Sequence, residues 1–431
     1  EAEQPEEAAP HWLEAARRRL ARSALTEATR MLRRGLDALE KLAEGETILR
    51  ARIQLSALLG PALIGLKGPN APETKELYTA AYELCRRLPE EAAHFPIYWG
   101  WWRLAPASLE RAGALLQRAV ERQDPELLLQ AHHCNWATHF HLGCFPECHA
   151  HMNAGLSIYE QGDYTHHARL YGNHDAKVCA HGNLSQLFWM EGRLTTAMRA
   201  EAQSLAWANR IDHLGSRVHA MGLTLLHRVY RRDLKEVFER SGELISFTRE
   251  HGLADHGAAG LIFQGWVWAV EGETAAGLAM LEEGFARQRE VCTNEDFPVY
   301  LCLLTEVLTA QKRPDLAVAR ILDELPDFEA CQLRIWMPEL LRVLGEAMLA
   351  ADPGAVEEAR RRFEQARIFA ESQDVPMLQL RIARSEARLL QRFGYTDWAV
   401  ARLDAVLARI AEDDGSCDIV EARELRQHLG K

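Results

Sequence analysis

Trp189-Met190-Glu191-Gly192-Arg193-Leu194, followed by Ala197, decides the fold, because its pattern recurs along the chain. Ala269-Val270-Glu271-Gly272-Glu273 is followed by Gly277, and Arg392-Phe393-Gly394-Tyr395 by Ala399. Each is a hinge with a small residue five positions after it. The same frame fits Arg232 with Val237, Lys312 with Ala317 and Gly354 with Ala359. The hinges fall at 192, 232, 272, 312, 354 and 394, spaced 40, 40, 40, 42 and 40 residues apart. Gly143 with Cys148 is an earlier member 49 residues upstream, the excess lying in a longer loop over 161–173. Glycine tolerates positive φ, so such a hinge closes one helix and lets the chain reverse. The small residue falls early in the second helix, where the two helices should cross closely. Apolar stripes then recur at helical spacing, as in Ala399, Leu403, Val406 and Ile410, or Ala359, Phe363, Ala366 and Ala370. Each unit of about 40 residues is therefore a pair of helices that must stack on its neighbours to complete a core.

Upstream of residue 143 the register is looser. Residues 12–42 read as one hairpin, 48–66 with 73–88 as a second, and 95–103 with 107–122 as a third. Residues 419–429 read as a lone capping helix after a turn-rich stretch over 412–418. The expected organisation is one continuous superhelix over 1–431. It has looser hairpins over 1–122, hairpins with the long loop over 123–191, regular repeats over 192–411 and a cap over 412–431. A chain of 431 residues exceeds the roughly 250–300 that one compact core holds, which an elongated array accommodates. The expected fold class is all-α, an α-solenoid of antiparallel helical hairpins.

Charge and composition exclude several functions. There are 50 Lys and Arg against 62 Asp and Glu, a net charge of −12, where a nucleic-acid surface needs a basic stripe. No apolar run approaches the roughly 20 residues that span a bilayer, so no membrane partner is expected. Nine scattered cysteines fit reduced thiols in the cytoplasm better than a disulfide framework. The first residue is Glu, which suggests a segment of a longer protein or a processed one. No G-x-x-x-x-G-K-[ST] phosphate loop and no G-x-S-x-G elbow occurs. The chain is expected to be non-catalytic and to need no cofactor.

Other motifs carry a family likeness. They include Gly60-Pro61-Ala62-Leu63, Trp99-Gly100-Trp101-Trp102-Arg103, Tyr171-Gly172-Asn173-His174-Asp175, Gly265-Trp266 and Pro298-Val299-Tyr300-Leu301. Trp336-Met337-Pro338-Glu339-Leu340 continues through Arg342, Leu344, Gly345 and Glu346, and Leu380-Arg381 leads into Ser385-Glu386-Ala387-Arg388-Leu389. With these, almost the whole chain resembles the C-terminal tetratricopeptide region of large bacterial signalling proteins. Those proteins join a class III adenylyl/guanylyl cyclase, or another effector, to a STAND-type AAA ATPase. The resemblance implies a sensor that binds an inducer or a protein in its concave groove and controls ATPase and effector domains upstream in the same polypeptide. The repeat by itself also suits a stand-alone scaffold that assembles proteins.

Histidines supply the strongest anomaly. Ten of eighteen lie between His132 and His181, with Cys134, Cys144, Cys148 and Cys179 among them. Imidazole and thiolate are the preferred zinc ligands, so Cys144 and Cys148 with His149, His139 or His141 form a weak candidate metal site. Pro146 between the cysteines and the absence of C-x2-C or HExxH spacing favour the plainer reading of polar lining and small core thiols. His139 and His141, two apart, would point in different directions from a helix, and each is also a candidate for contact with a ligand or partner. The pair His174-Asp175 in the long loop is a candidate for ligand contact, with Tyr171 beside it. Trp99, Trp102, Arg103 and Trp266 complete the candidates, as rings and a guanidinium able to line a groove.

Overall fold

The structure, a computed structural model, describes residues 5–254, 256–291 and 294–430. Glu1 and Cys292 therefore lie outside the described residues. The first hairpins are α1 (Pro5–Leu20) with α2 (Leu25–Leu39), α3 (Glu46–Lys67) with α4 (Pro72–Cys85), and α5 (Phe95–Arg103) with α6 (Leu109–Arg122). Next come α7 (Pro125–Leu142) with α8 (Phe145–Tyr159), α9 (Ala176–Met190) with α10 (Leu194–Arg210), and α11 (Leu214–Arg231) with α12 (Leu234–His251). The series continues through α13 (Gly257–Val270) with α14 (Thr274–Val291), and α15 (Phe297–Ala310) with α16 (Pro314–Ala330). It ends with α17 (Met337–Ala351) and α18 (Val356–Ser372), α19 (Pro376–Arg392) and α20 (Thr396–Leu407), and the single α21 (Cys417–Leu429). The fold is an all-α solenoid of tetratricopeptide-like hairpins, with no strand among the described residues.

The hinge frame holds at the level of backbone angles. Residues 192, 232, 272, 312 and 394 all have left-handed φ, between 58° and 115°. Arg232 and Lys312 adopt it without being glycine, so the reversal itself imposes the conformation. Gly354 is the exception: its N–H donates to Asp352 Oδ1 at 2.8 Å, and this side-chain turn replaces the left-handed residue in the unit that is two residues longer. The partners five positions on, Ala197, Val237, Gly277, Ala317, Ala359 and Ala399, are all buried. At the α13–α14 crossing the backbones touch. A Cβ on Gly277 would lie 2.5 Å from Ala269 N and Gly265 O, and one on Gly265 2.6 Å from Gly277 O.

The two helices of a hairpin differ in burial. Outer α10 buries only a stripe, Leu194, Ala197, Ala200, Glu201, Ser204 and Ala208. Inner α9 is buried almost all round. A helix buried on every side has protein on both faces, and here the second face is the inside of the superhelix. The winding is tight enough for successive turns to touch. Arg103 reaches Glu295, 192 residues away; Asn70 Nδ2 reaches Arg289 O, 219 away; Thr195 N reaches Glu412, 217 away. With a unit of 40 residues, one turn takes about five hairpins. The inner surface among the described residues carries cavities where these turns meet. One further expectation is corrected. Helix α3 is long and apolar enough to cross a membrane by length and composition, although 78% of its apolar window is buried in the protein. Its apolar residues are interspersed with polar ones, so no continuous run betrays it.

Candidate functional site

The inner faces of α5, α7, α9 and α11 enclose a cavity of about 110 Å³ inside the first turn of the superhelix. That is room for several waters or a small polar group. Residues before α13, on α14 and before α15 close it from the following turn: His256, Gln288, Glu295 and Asp296. The ion pair of Arg103 Nη1 with Glu295 Oε1, 2.7 Å, ties the two turns together at the cavity wall.

One wall is aromatic. Trp99 meets Trp102 edge to face at 5.3 Å and His133 at 5.8 Å. Trp102 Nε1 donates to Thr138 Oγ1 at 2.9 Å, whose hydroxyl donates to Pro106 O. Gly172 must be small here: its φ is 67°, and a Cβ would lie 2.3 Å from Trp99 Cη2.

A chain of imidazoles adjoins Trp99, with His133 and His174 at 5.8 and 6.1 Å from its ring. His133 Nδ1 lies 3.2 Å from Gln130 Oε1, and its Nε2 lies 3.3 Å from His174 Nε2. His174 Nδ1 donates to Gly172 O at 3.0 Å. The His174 ring stacks on His219 with centroids 3.9 Å apart, and His219 Nδ1 meets His256 Nε2 at 3.1 Å. Burial pushes His133 and His219 well below the usual histidine range, with His174 adding to both. Burial brings His141 down to about 4, against the pull of Glu295. At pH 7 His133, His141 and His219 are therefore neutral lone-pair and N–H donors, not cations. Gln288 Oε1 is buried in the cavity lining without a hydrogen-bond partner among the described residues.

The structure brings Trp99, Trp102, Arg103, His141 and His174 together in this cavity. It places the other candidates elsewhere. His139 stacks on His151 at 5.5 Å, away from His141, as the two-residue spacing on a helix requires. Tyr171 is buried behind Trp99 at 6.1 Å. Asp175 is architectural: it caps α9 through Lys177 N and Val178 N and accepts the Tyr159 hydroxyl at 2.6 Å. Trp266 belongs to a second cluster, where Nε1 donates to Glu306 Oε2 and the Arg232 guanidinium lies 5.3 Å above the ring.

Cys144, Cys148 and His149 do not converge. Pro146 lies in the first turn of α8, so Cys144 falls at the N-cap position, Cys148 Sγ turns inward to Trp136 O at 3.3 Å, and His149 pairs with Glu191 at 2.6 Å.

His133, His219 and His256 stood outside the sequence candidates, and Cys179 figured there only as a thiol of the histidine belt. The signal was present at another scale: histidines recur near the repeat length at 133, 174, 219 and 256, on successive inner positions.

The second cluster follows on α15, α17, α19 and α21 beside a cavity of about 480 Å³. Glu339 accepts from Arg342 at 2.7 and 2.9 Å and from Arg381 at 3.2 Å, and Asp418 accepts from Arg381 and Arg384 at 2.8 Å. Burial alone would raise the Glu339 carboxyl, but Arg342 and Arg381 outweigh it and hold it at about 2.

No family model matches the chain. The chain is 31% identical over 359 residues to the uncharacterized protein R02095 of Rhizobium meliloti (strain 1021), a match covering 82% of this chain and 35% of that protein. The chain thus spans about a third of that relative's length. Among solved structures, the Rap protein complexed with competence and sporulation factor superposes with a TM-score of 0.47 at 12% identity, covering 89% of this chain and 99% of that one. The apo form of RapI gives a TM-score of 0.27 at 10% identity, covering 98% and 97%.

Proposed function

We propose that this chain is a non-catalytic regulatory module that binds a small polar ligand in the cavity of its first superhelical turn. The observation that carries the reading is the make-up of that cavity. Its lining comes from four inner helices and from the turn that follows, and the Arg103–Glu295 pair joins the two at its edge. A ligand seated there touches both turns, so its binding free energy acts on how they pack. That is the differential contact a ligand needs in order to shift a conformational equilibrium. Gln288 Oε1, 4% exposed for the residue and without a partner among the described residues, calls for a donor from such a ligand.

The finer part of the proposal is the context. The motifs quoted above, and a relative of which this chain spans about a third, support a sensor region within a longer cytoplasmic signalling protein of the STAND ATPase type. A P-loop ATPase upstream in the same reading frame is expected, and its absence would remove that context.

The ligand reading is tested by a thermal-shift screen of metabolites on the purified chain and on Ala137→Met, which fills the cavity from α7. A true ligand raises the Tm of the parent chain and leaves the variant unmoved. Hits that stabilise both equally, or a screen without hits alongside capture of a protein partner, would replace the sensor reading with that of a scaffold.

A further inference from the structure

His133 Nε2 and His174 Nε2 face each other in the cavity lining, and their neighbours orient both rings. His167 Nε2 faces the Glu126 carboxylate at 3.3 Å, so it carries a proton there and leaves a lone pair on Nδ1. That lone pair takes the Gln130 Nε2–H at 3.0 Å, which fixes the amide and turns Gln130 Oε1 toward His133. His133 Nδ1 must then donate, and its Nε2 is a lone pair. On the other side the Gly172 carbonyl accepts from His174 Nδ1, which leaves His174 Nε2 as the nitrogen that faces His133 Nε2, 3.3 Å away.

We propose that His133 Nε2, His174 Nε2 and Cys179 Sγ form a binding site for a borderline transition-metal ion of the zinc class. One ligand atom from each of the three residues lies within 4.8 Å of the others, all three residues are buried, and the two Nε2 atoms are 3.3 Å apart. Zn–N bonds of about 2.0–2.1 Å in a tetrahedron put two nitrogens about 3.3–3.4 Å apart, which is the separation found. It is long for an N–H···N hydrogen bond. The outer shell is already in place. Each ligating ring donates its Nδ1–H to a carbonyl oxygen, from Gln130 or Gly172, the arrangement that orients metal-bound histidines. Asn183 Nδ2 donates to Cys179 Sγ at 3.8 Å, which suits a thiolate. Binding converts the Cys179 thiol to a thiolate and releases its proton to solvent. The fourth position belongs to water or to a donor atom in the cavity. To that extent the inference rests on the ligand reading above; the three protein ligands do not.

The test is a Co²⁺ titration of the metal-stripped full chain, followed by displacement with Zn²⁺. One equivalent of Co²⁺ should produce a thiolate-to-metal charge-transfer band and tetrahedral d–d bands, with about one proton released per ion at neutral pH. Cys179→Ser should abolish the charge-transfer band, and His174→Ala should weaken binding at least tenfold. Cys144→Ser should change neither, because Cys144 belongs to a separate, half-exposed group with His139 and Glu147. Circular dichroism of each variant checks that it is folded. The parent chain needs no such control: a parent without a thiolate band or a stoichiometric ion overturns the proposal. So does a band that survives Cys179→Ser and disappears in Cys144→Ser. A chain that binds Co²⁺ as described but no metabolite would leave the metal site standing and sink the sensor reading alone.

Discussion

Glu339 is the clearest case at the scale of the residue. It is 5% exposed and compensated by two guanidinium groups that cannot lose their protons. Its folded pKa of about 2 lies below its ordinary value of 4.5. The group therefore adds stability above pH 4.5, and that contribution declines as pH falls and is gone below about 2. Urea unfolding over pH 2–6 should show this acid loss, and Glu339→Gln should flatten it. At pH 7 the same substitution leaves Arg342 and Arg381 short of a counter-charge and should cost about 3–5 kcal/mol. An unchanged urea midpoint would contradict the network. The sequence displayed half of this arrangement. Glu339 and Arg342 are three apart on one helix, and the Leu380-Arg381 and Ser385-Glu386 motifs stood out as likenesses of a family. That Arg342 meets Ser385 at 3.3 Å, and Arg381 meets both Glu339 and Asp418, depends on which helices lie side by side.

At the scale of the element, the hairpin was legible because its rule is local. A helix must be closed, reversed and crossed within a few residues, and each step constrains residue type. The crossing is tightest between α13 and α14, where the Gly277 and Gly265 backbones touch. Gly277→Ala should cost about 1–3 kcal/mol through overpacking, read as a lower Tm with unchanged helical circular dichroism. The same change at Gly394, which has open space around it, meets no clash and suffers only from its φ of 78°. Equal costs at the two positions would count against the close crossing. The one hinge that departs from the rule, Gly354, does so where the unit is longer and an Asp352 side chain makes the turn.

At the scale of the molecule, turns of the solenoid hold one another. Helix α10 has no capping side chain of its own before Leu194. Glu412, from the loop ahead of α21, supplies one: it accepts from Thr195 N at 2.6 Å and Thr196 N at 3.2 Å. A carboxylate at a helix N-terminus meets free N–H groups and the positive end of the helix dipole. Glu412→Ala should cost about 0.5–2 kcal/mol. It should also speed hydrogen exchange at Thr195 and Thr196, although they lie 217 and 216 residues away in sequence. Exchange faster only around residue 412 would show that the turns are not coupled.

The sequence by itself determined the helices, their pairing into hairpins and the unit of 40 residues, because each follows from interactions among near neighbours. It also supplied Trp99, Trp102, Arg103, His141 and His174 as candidates. Only the tertiary structure decided that these five share a cavity while Asp175 caps a helix, Tyr171 packs behind Trp99 and Trp266 sits with Glu306. The reason is the winding of the superhelix. The small rotation from each hairpin to the next brings residues some five units apart into contact, and no local pattern encodes the sum of those rotations. The hinge at Gly192 illustrates both halves. Its φ of 74° follows from its place between two helices, but that its carbonyl accepts the Glu412 N–H is a property of the whole coil.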